Sequence, residues 1–333
     1  MNHSDFKNNM KATARLIKKS KKIIIACHMN PDGDALGSMI GLYYGLMKMG
    51  KDVVMLCPDK VPYRYIDLSG ARRIKQRYTK EADCAISVDC GAMVQLARLQ
   101  EAFRKSKRIV EIDHHTYRTR FGDIQLIDRG SCSVGEIVYQ LLKMMRIRLD
   151  KRMAECFLTS MLVETSSFSR PEVRNSTFDI CSELMKTGIN FNKISDRFYW
   201  LKKLSVLHLC GLCFVRIKMR ANGKLAWSIL YQKDYDKFNG SKEDVDAVPD
   251  EMMAIDGVKV TLLFREIEDN MLRVSLRSKG KIDIGYLASI YGGGGHHDVA
   301  GCRIHNNKRT IEKFIEQACL LIDRKRQKIL TLS

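Results

Sequence analysis

Short apolar runs alternate with helical patterns through the first half of the chain, and this alternation constrains the fold most strongly. Four runs have the length and composition of buried strands: residues 22–28, 52–57, 84–88 and 108–112. Four segments are predicted to be helices: residues 35–49, 133–145, 152–165 and 176–187. Strands separated by helices form βαβ units, so the sequence predicts an α/β domain with a mainly parallel sheet flanked by helices.

The second half has a different order of elements. Two hairpins are predicted, one from residues 209–219 and 225–231 and the other from residues 258–266 and 271–277, followed by a short strand at 300–305. Helices are predicted at residues 242–254, 283–291 and 308–326. This order indicates a smaller α+β domain, and 333 residues suffice for two cores. We expect a first domain in residues 1–190, a helical connector in 191–207 and a second domain in 208–333.

The chain is strongly basic. Lysine and arginine number 57 against 38 acidic residues, a formal net charge of +19. This balance favours an anionic partner such as nucleic acid or a nucleotide. A lysine-rich surface without a dedicated partner would give the same count, and the composition alone leaves both interpretations open.

Several features of the sequence indicate a cytoplasmic location. The first residues lack the apolar core of a secretory signal, and no run approaches the ~18 apolar residues of a membrane span, so we expect no membrane partner. The 11 cysteines lie mostly within apolar runs, as buried free thiols do in a reducing compartment. Cys210 and Cys213 form one C-x-x-C pair, but no second pair accompanies them to complete a zinc site.

Polar side chains follow three of the predicted strands at the point where each strand ends. They are His28, Asp32 and Asp34 after the first strand, Asp89 after the third, and Asp113, His114 and His115 after the fourth. Ligands of open α/β sheets bind just beyond the carboxyl ends of the strands. Carboxylates and imidazoles suit manganese, magnesium, iron or zinc. The alternative, a helix N-cap, accounts for Asp34 or Asp89 singly but not for the whole set.

A glycine run near the C-terminus is the second feature that indicates a binding site. Its members are Gly292, Gly293, Gly294 and Gly295, and His296 follows them. Consecutive glycines expose backbone N–H groups that can surround a phosphate, although an isolated run is more often a flexible hinge. Arg277, followed by Ser278, offers a guanidinium fork for a terminal phosphate.

Together these motifs resemble the DHH phosphoesterase superfamily with its C-terminal DHHA1 domain. The resemblance covers nearly the whole chain, from His28-x-x-Pro31-Asp32-Gly33-Asp34 to the glycine run. Within the superfamily, the chain is most similar to the bacterial branch of oligoribonucleases that also hydrolyse 3′-phosphoadenosine 5′-phosphate (pAp). The resemblance implies two divalent ions, manganese first, with magnesium, iron(II) or cobalt as alternatives.

The resemblance also implies a role for each matching residue. His28 and Asp32 would bind the first ion, Asp34 and His114 the second, and Asp89 would bridge both. Asp113 would orient ligands, and His115 would face the substrate phosphate. The second domain would close over an interdomain active-site cleft and hold the substrate with the residues already noted, namely Arg277, Ser278, Gly292, Gly293, Gly294, Gly295 and His296.

One position departs from the family pattern. The family's last metal motif has an aspartate followed by Thr-Gly, whereas this chain has Glu164, Thr165 and Ser166. Glutamate keeps the carboxylate that binds a metal, so the resemblance implies Glu164 as a ligand of the second ion. Its side chain is one methylene longer than that of aspartate, which alters its reach.

The activity implied is hydrolysis of short oligoribonucleotides, of pAp, or of both by in-line attack of a metal-bridging hydroxide. The expected partner is therefore short single-stranded RNA or a nucleotide, and the oligomeric state stays open, with a homodimer as one candidate. One alternative is another activity of the superfamily, on linear or cyclic dinucleotides or on poly- or pyrophosphate. A second alternative is a nucleotide- or RNA-binding protein with a degenerate, non-catalytic site.

Overall fold

The computed structural model describes residues 3–115, 118–200, 202–268, 270–295 and 297–323. The chain divides into two compact units, Met1–Leu201 and Lys202–Ser333. Each unit has its own buried apolar cores. Among the described residues, no helix is long and apolar enough to cross a membrane.

The first unit is built on a fully parallel sheet, which confirms the predicted architecture. Its strands are β1 (Lys22–Ala26), β2 (Asp52–Leu56), β3 (Cys84–Val88), β4 (Ile109–Asp113) and β5 (Ile124–Ile127), in the order β2-β1-β3-β4-β5. The edge strand β5 was not predicted, because it has only four residues. All five residues of β3 are buried, as expected for a central strand covered on both faces.

Helices flank this sheet. They are α1 (His3–Lys19), α2 (Gly33–Lys48), α3 (Gln100–Arg104), α4 (Val134–Met144), α5 (Lys151–Glu164), α6 (Asn175–Met185) and α7 (Phe191–Ser195), and a π-helical turn follows at Asp196–Trp200. Helix α2 is buried along most of its length. Its Gly37 lies so close to α5 that a Cβ atom there would come within 2.4 Å of the Cys156 carbonyl oxygen. This close approach brings the start of α2 beside α4 and α5, where the candidate site lies.

The second unit contains a mixed sheet. Its strands are β6 (Lys218–Arg220), β7 (Leu225–Leu230), β8 (Val260–Ile267), β9 (Met271–Ser278), β10 (Gly294–Gly295) and β11 (Val299–His305), in the order β10-β11-β9-β8-β7-β6. Strands β7 and β8 are parallel and the other pairs are antiparallel. The helices are α8 (Leu204–Val215), α9 (Gln232–Phe238), α10 (Val248–Met252), α11 (Ile284–Ile290) and α12 (Lys308–Ile322). The predicted α+β class is therefore correct for this half.

One hairpin was predicted wrongly. Residues 209–219 were expected to form a strand, but most of them belong to α8, and only Lys218–Arg220 pairs with β7. A continuous apolar run carries no periodicity that separates a buried strand from a helix. In the structure, Leu209 and Cys213 are buried four residues apart on one face of the helix. The helix predicted at residues 242–254 is divided into a 3₁₀ turn (Lys242–Val245) and α10, and Pro249 lies in the first turn of α10, where a missing N–H costs nothing.

Candidate metal centre

The loop after β1 starts the candidate site. Asp32 has an extended backbone and caps α2, since its Oδ1 accepts hydrogen bonds from the backbone N–H groups of Asp34 (2.9 Å) and Ala35 (3.0 Å). The N-cap is therefore Asp32, not Asp34 as the alternative interpretation supposed. Gly33 has to be glycine, because a Cβ atom there would come within 2.6 Å of the Val163 side chain. Capping occupies one oxygen of Asp32 and leaves the other for a cation.

Asp34 is completely buried and heavily hydrogen-bonded. Its Oδ1 accepts from the hydroxyls of Ser160 (2.6 Å) and Ser38 (3.0 Å), and its Oδ2 accepts from the Val134 N–H (2.9 Å). Val134 begins α4, so the helix dipole also favours the negative charge. The sequence analysis missed Ser160, because a serine inside a helix gives no signal until tertiary packing brings it to a carboxylate.

Asp89 lies at the middle of the site. It follows β3 with a left-handed backbone (φ 57°), a conformation that aspartate tolerates better than most residues. Its Oδ2 is 3.4 Å from His28 Nε2, and its Oδ1 is 3.5 Å from His115 Nδ1 and 4.0 Å from His114 Nε2. It is not a helix cap, because the next helical segment begins only at Met93, after Ala92.

Two histidines are oriented by backbone carbonyl groups. His28 Nδ1 donates to the Met29 oxygen (2.7 Å), and His114 Nδ1 donates to the Ser131 oxygen (3.2 Å). A carbonyl oxygen can only accept, so both rings carry a proton on Nδ1 and turn Nε2 toward the carboxylates. His114 Nε2 lies 3.7 Å from both Asp34 Oδ2 and Glu164 Oε1. Both rings are thus oriented to ligate a metal through Nε2 once that nitrogen loses its proton.

Asp113 organises the loop after β4. Its Oδ1 accepts from the His114 N–H (2.8 Å) and from His115 Nδ1 (2.7 Å). The bond to Asp113 raises the pKa of His115 to about 9, although burial opposes the shift. His115 is therefore a cation near neutral pH in the metal-free protein.

These side chains form three overlapping clusters of potential ligands, in each of which the donor atoms lie within 4.8 Å of one another. The clusters are His28, Asp32 and Asp89; Asp89, His114 and His115; and Asp34, His114 and Glu164. Two ligands ~2.1 Å from one cation, at ~90–120° to each other, are separated by ~3.0–3.6 Å, close to the distances found here. Asp89 Oδ1 is also buried without a hydrogen-bond partner among the described residues. The donor set therefore fits divalent cations.

The pKa values of the clustered side chains show that protons occupy the site when no cation is bound. Burial opposes the charge of His28, but its contact with Asp89 outweighs burial and raises the pKa to about 10. Burial favours the neutral form of Asp89, yet the same contact lowers its pKa to about 2. For Glu164, burial and then the charge of Asp89 raise the pKa to about 7. Burial and Asp89 likewise raise the pKa of Asp34. Protons thus balance clustered carboxylates in the metal-free site, and a metal would displace them.

The predicted substrate residues of the second unit have partners within that unit. The Arg277 guanidinium pairs with Asp250 (Nε to Oδ1, 2.8 Å), and the Ser278 hydroxyl donates to the Ile282 oxygen (2.7 Å). In the glycine run, the N–H groups of Gly292 and Gly293 donate to the end of α11 rather than pointing outward. Gly294 and Gly295 pair with β11, and His296 lies outside the described residues.

A parallel sheet with carboxylates and imidazoles gathered at its strand ends is the arrangement of a metal-dependent α/β enzyme. The family model for the DHH family, N-terminal domain, matches residues 22–161, and the model for the DHHA1 domain matches residues 222–323. The chain belongs to the DHH family and carries a DHHA1 domain. It is a hydrolytic phosphoesterase, and enzymes of this family depend on divalent metal ions.

Named relatives match the chain along most of its length. The "Probable bifunctional oligoribonuclease and PAP phosphatase NrnA" of Streptococcus mutans is 28% identical over 317 residues, covering 92% of this chain and 96% of the relative. The "Bifunctional oligoribonuclease and PAP phosphatase NrnA" of Thermus thermophilus is 25% identical, covering 89% and 88%. Among solved structures, an exopolyphosphatase-related protein from Bacteroides fragilis is 28% identical, with a TM-score of 0.89 and coverage of 95% of this chain and 98% of that one.

Proposed function

We propose that this enzyme hydrolyses short oligoribonucleotides and pAp with the help of two divalent ions. The observation that carries the proposal is the near full-length match to two relatives named for both activities. The net charge of +19 suits an anionic substrate of this kind. The chemistry requires a group that activates water beside a phosphate, and the clustered carboxylates and histidines have the donor chemistry to hold such ions.

Each ligand has a proposed place. His28 and Asp32 hold the first ion, while Asp34, His114 and Glu164 hold the second, and Asp89 contributes to both. Two such ions, when bound, activate a water molecule and neutralise the phosphate oxygens during in-line displacement. A donor set that mixes carboxylates with imidazoles favours manganese or iron(II) over magnesium, which prefers an all-oxygen shell. Manganese is therefore the ion we propose.

The remaining residues act on substrate and ligands. Asp113 fixes the ring of His115 through the 2.7 Å bond, so the Nε2 side of that ring is available to donate to a phosphate oxygen or to the leaving group. Arg277 would exchange its partner Asp250 for a substrate phosphate, which a guanidinium fork binds with two hydrogen bonds. Ser278 and the glycine run would support this contact from the same end of the second sheet.

A substrate panel tests the proposal. With added Mn²⁺, kcat/KM is compared for pAp, oligoribonucleotides of two to five nucleotides, a cyclic dinucleotide and pyrophosphate. We expect pAp and the short oligoribonucleotides to be the best substrates. If pyrophosphate or the cyclic dinucleotide alone is hydrolysed, the proposed substrate class is wrong.

A pair of matched variants links the activity to the site. Asp89→Asn keeps the shape of the side chain but removes the charge shared by two clusters, so we expect loss of at least ~1,000-fold in kcat. Asp179→Asn, on the exposed face of α6, makes the same change outside the site and should keep normal activity. Equal activity in both variants would contradict the assignment of Asp89.

A further inference from the structure

A cavity of about 600 Å³ lies beside the outer edge of β5, within the first unit. Its walls come from α1, the loop before β5, β5 itself, the loop at residues 128–130, α4 and the start of α6. This volume is within the range of ~300–1,000 Å³ that is typical of small-molecule sites. The reaction proposed above uses none of its lining residues, so the cavity needs a separate explanation.

The charged lining is predominantly arginine. Arg118, Arg129 and Arg174 line the cavity together with two acids, Asp128 and Glu136. Both acids are engaged in local structure. Asp128 accepts hydrogen bonds from the Gly130 N–H (3.0 Å) and the Ser131 hydroxyl (2.7 Å), and Glu136 accepts from the Cys132 N–H (2.9 Å). The two acids therefore hold the loop, as does Arg174, which donates to the Gly130 oxygen.

One of the arginines has all of its donors unused. In the part of the chain that the structure describes, Arg129 is exposed and makes no hydrogen bond or ion pair. Arg118 is only 9% exposed and is paired with two acids, Glu111 through Nη2 and Asp113 through Nε. A guanidinium without a partner beside a cavity is suited to bind an anion, so Arg129 is the cation available to a ligand.

The neutral lining adds an apolar side and two amides. Phe6 and Ile127 supply apolar surface, whereas Gln125 and Gln140 supply groups that both donate and accept hydrogen bonds. An aromatic ring together with amides is suited to a nucleobase, which stacks on its faces and forms hydrogen bonds along its edges. Arg129, the arginine without a partner among the described residues, supplies the guanidinium fork for a phosphate group. We propose that this cavity is a second binding site, for a nucleotide unit that carries one phosphate.

The cavity wall is connected to the metal centre. The Asp128 N–H donates to the Asp113 oxygen (3.1 Å), and the Ser131 oxygen at the end of the same loop accepts from His114 Nδ1 (3.2 Å). Arg118 Nε lies 3.5 Å from Asp113 Oδ2. A ligand in the cavity would therefore contact the loop at residues 128–130, which leads directly into Ser131, the residue whose carbonyl oxygen orients His114. The bound nucleotide unit is either a separate nucleoside monophosphate or a further nucleotide of a bound oligonucleotide. The second alternative rests on the proposed function.

Binding of adenosine monophosphate (AMP) tests the site without turnover. The full chain is stripped of metal and kept in chelator, so that bound ions cannot attract the phosphate, and AMP binding is measured by calorimetry. We expect one site per chain, and Arg129→Ala should raise the Kd at least tenfold, equivalent to about 1.4 kcal/mol. Arg129→Lys should give an intermediate Kd, since it keeps the charge but not the fork. Adenosine, which lacks the phosphate, should also bind at least tenfold more weakly than AMP.

Arg15→Ala is the matched control. Arg15 is an exposed arginine on α1, nine positions beyond Phe6 and so ~13 Å along the helix from the cavity. The Arg15→Ala variant should bind AMP with the same Kd as the wild type. The proposal is overturned if stripped wild-type protein does not bind AMP at millimolar concentration, or if Arg129→Ala binds it as tightly as the wild type.

Kinetics with active, metal-loaded enzyme then separate the two sources. If the nucleotide belongs to the substrate, Arg129→Ala raises KM more for a trinucleotide than for a dinucleotide. If it is a separate ligand, added AMP changes the rate of dinucleotide hydrolysis by the wild type, and Arg129→Ala loses this response. Because the binding assay needs no turnover, failure of the proposed hydrolytic function would leave its result unaffected.

Discussion

Replacement of Glu164 by glutamine should have opposite effects on the metal-free and the metal-bound protein. Glu164 ends α5, and its Oε1 lies 3.7 Å from His114 Nε2. Burial, followed by the charge of Asp89, raises the pKa of Glu164 from 4.5 to about 7. The ionised carboxylate is thus unfavourable in the folded protein unless a cation lies beside it. Glutamine has nearly the same shape and no charge.

The magnitude follows from the pKa of Glu164. Because each pKa unit is worth about 1.4 kcal/mol, a rise from 4.5 to about 7 corresponds to about 3 kcal/mol of lost stability once the group is ionised. The side chain is 35% exposed, so solvent screening reduces this to about 1–2 kcal/mol. A raised carboxyl pKa destabilises progressively from pH 4.5 upward, and the loss is complete above pH 7. Metal-free Glu164→Gln should therefore be about 1–2 kcal/mol more stable than the wild type at pH 8 and equal to it near pH 4.

Urea unfolding in chelator and calorimetric titration with Mn²⁺ measure the two effects. With metal, the variant loses a ligand of the second ion, so we expect affinity for that ion to fall at least ~10-fold. Glu155→Gln is the control, since it removes the same charge from the same helix outside the ligand clusters. A metal-free Glu164→Gln protein less stable than the wild type, or one with unchanged Mn²⁺ affinity, would refute the reasoning.

Three further predictions concern stability. In chelator, Tm should fall as pH rises from 7 to 10. His28 (pKa about 10) and His115 (pKa about 9) stabilise the folded protein fully below their unfolded pKa of ~6.5, and this stabilisation is lost as they deprotonate. Mn²⁺ should abolish the fall in Tm, and a flat Tm profile in chelator would contradict the prediction. Ser166→Gly should stabilise by about 1 kcal/mol in urea unfolding, because Ser166 has a left-handed backbone (φ 47°) that glycine adopts without strain; lower stability would count against it. Gly37→Ala should destabilise by about 1–3 kcal/mol, since its Cβ would lie 2.4 Å from the Cys156 oxygen; a change below ~0.5 kcal/mol in thermal unfolding would contradict the close packing.

The parts of the fold that the sequence predicted well have a strong local signal. Three of the four apolar runs became the central parallel strands β1, β3 and β4, because a strand buried on both faces needs continuous apolar residues, and the fourth became the edge strand β2. The short edge strand β5 and the helix α8 were missed, since neither has a periodicity that distinguishes it. In both cases tertiary contacts decide the structure.

The same contrast holds within the candidate site. His28, Asp89 and His114 could be singled out because they follow strands of a parallel sheet, whose ends meet at one edge. The hydroxyl of Ser160 and the N–H of Val134, which hold Asp34, come from distant segments and carry no motif. The cavity beside β5 was likewise not predictable, because six separate segments form its walls.

The central claim is that the clustered carboxylates and histidines bind divalent ions that the hydrolysis requires. It is tested most directly by stripping the protein of metal and adding Mn²⁺ back stepwise, with bound metal and pAp hydrolysis measured on the same samples. We expect no hydrolysis by the stripped protein and full activity as about two ions bind per chain. We also expect Asp89→Asn to bind fewer ions and to stay inactive. Full hydrolysis in excess chelator, or activity in Asp89→Asn equal to the wild type, would contradict it.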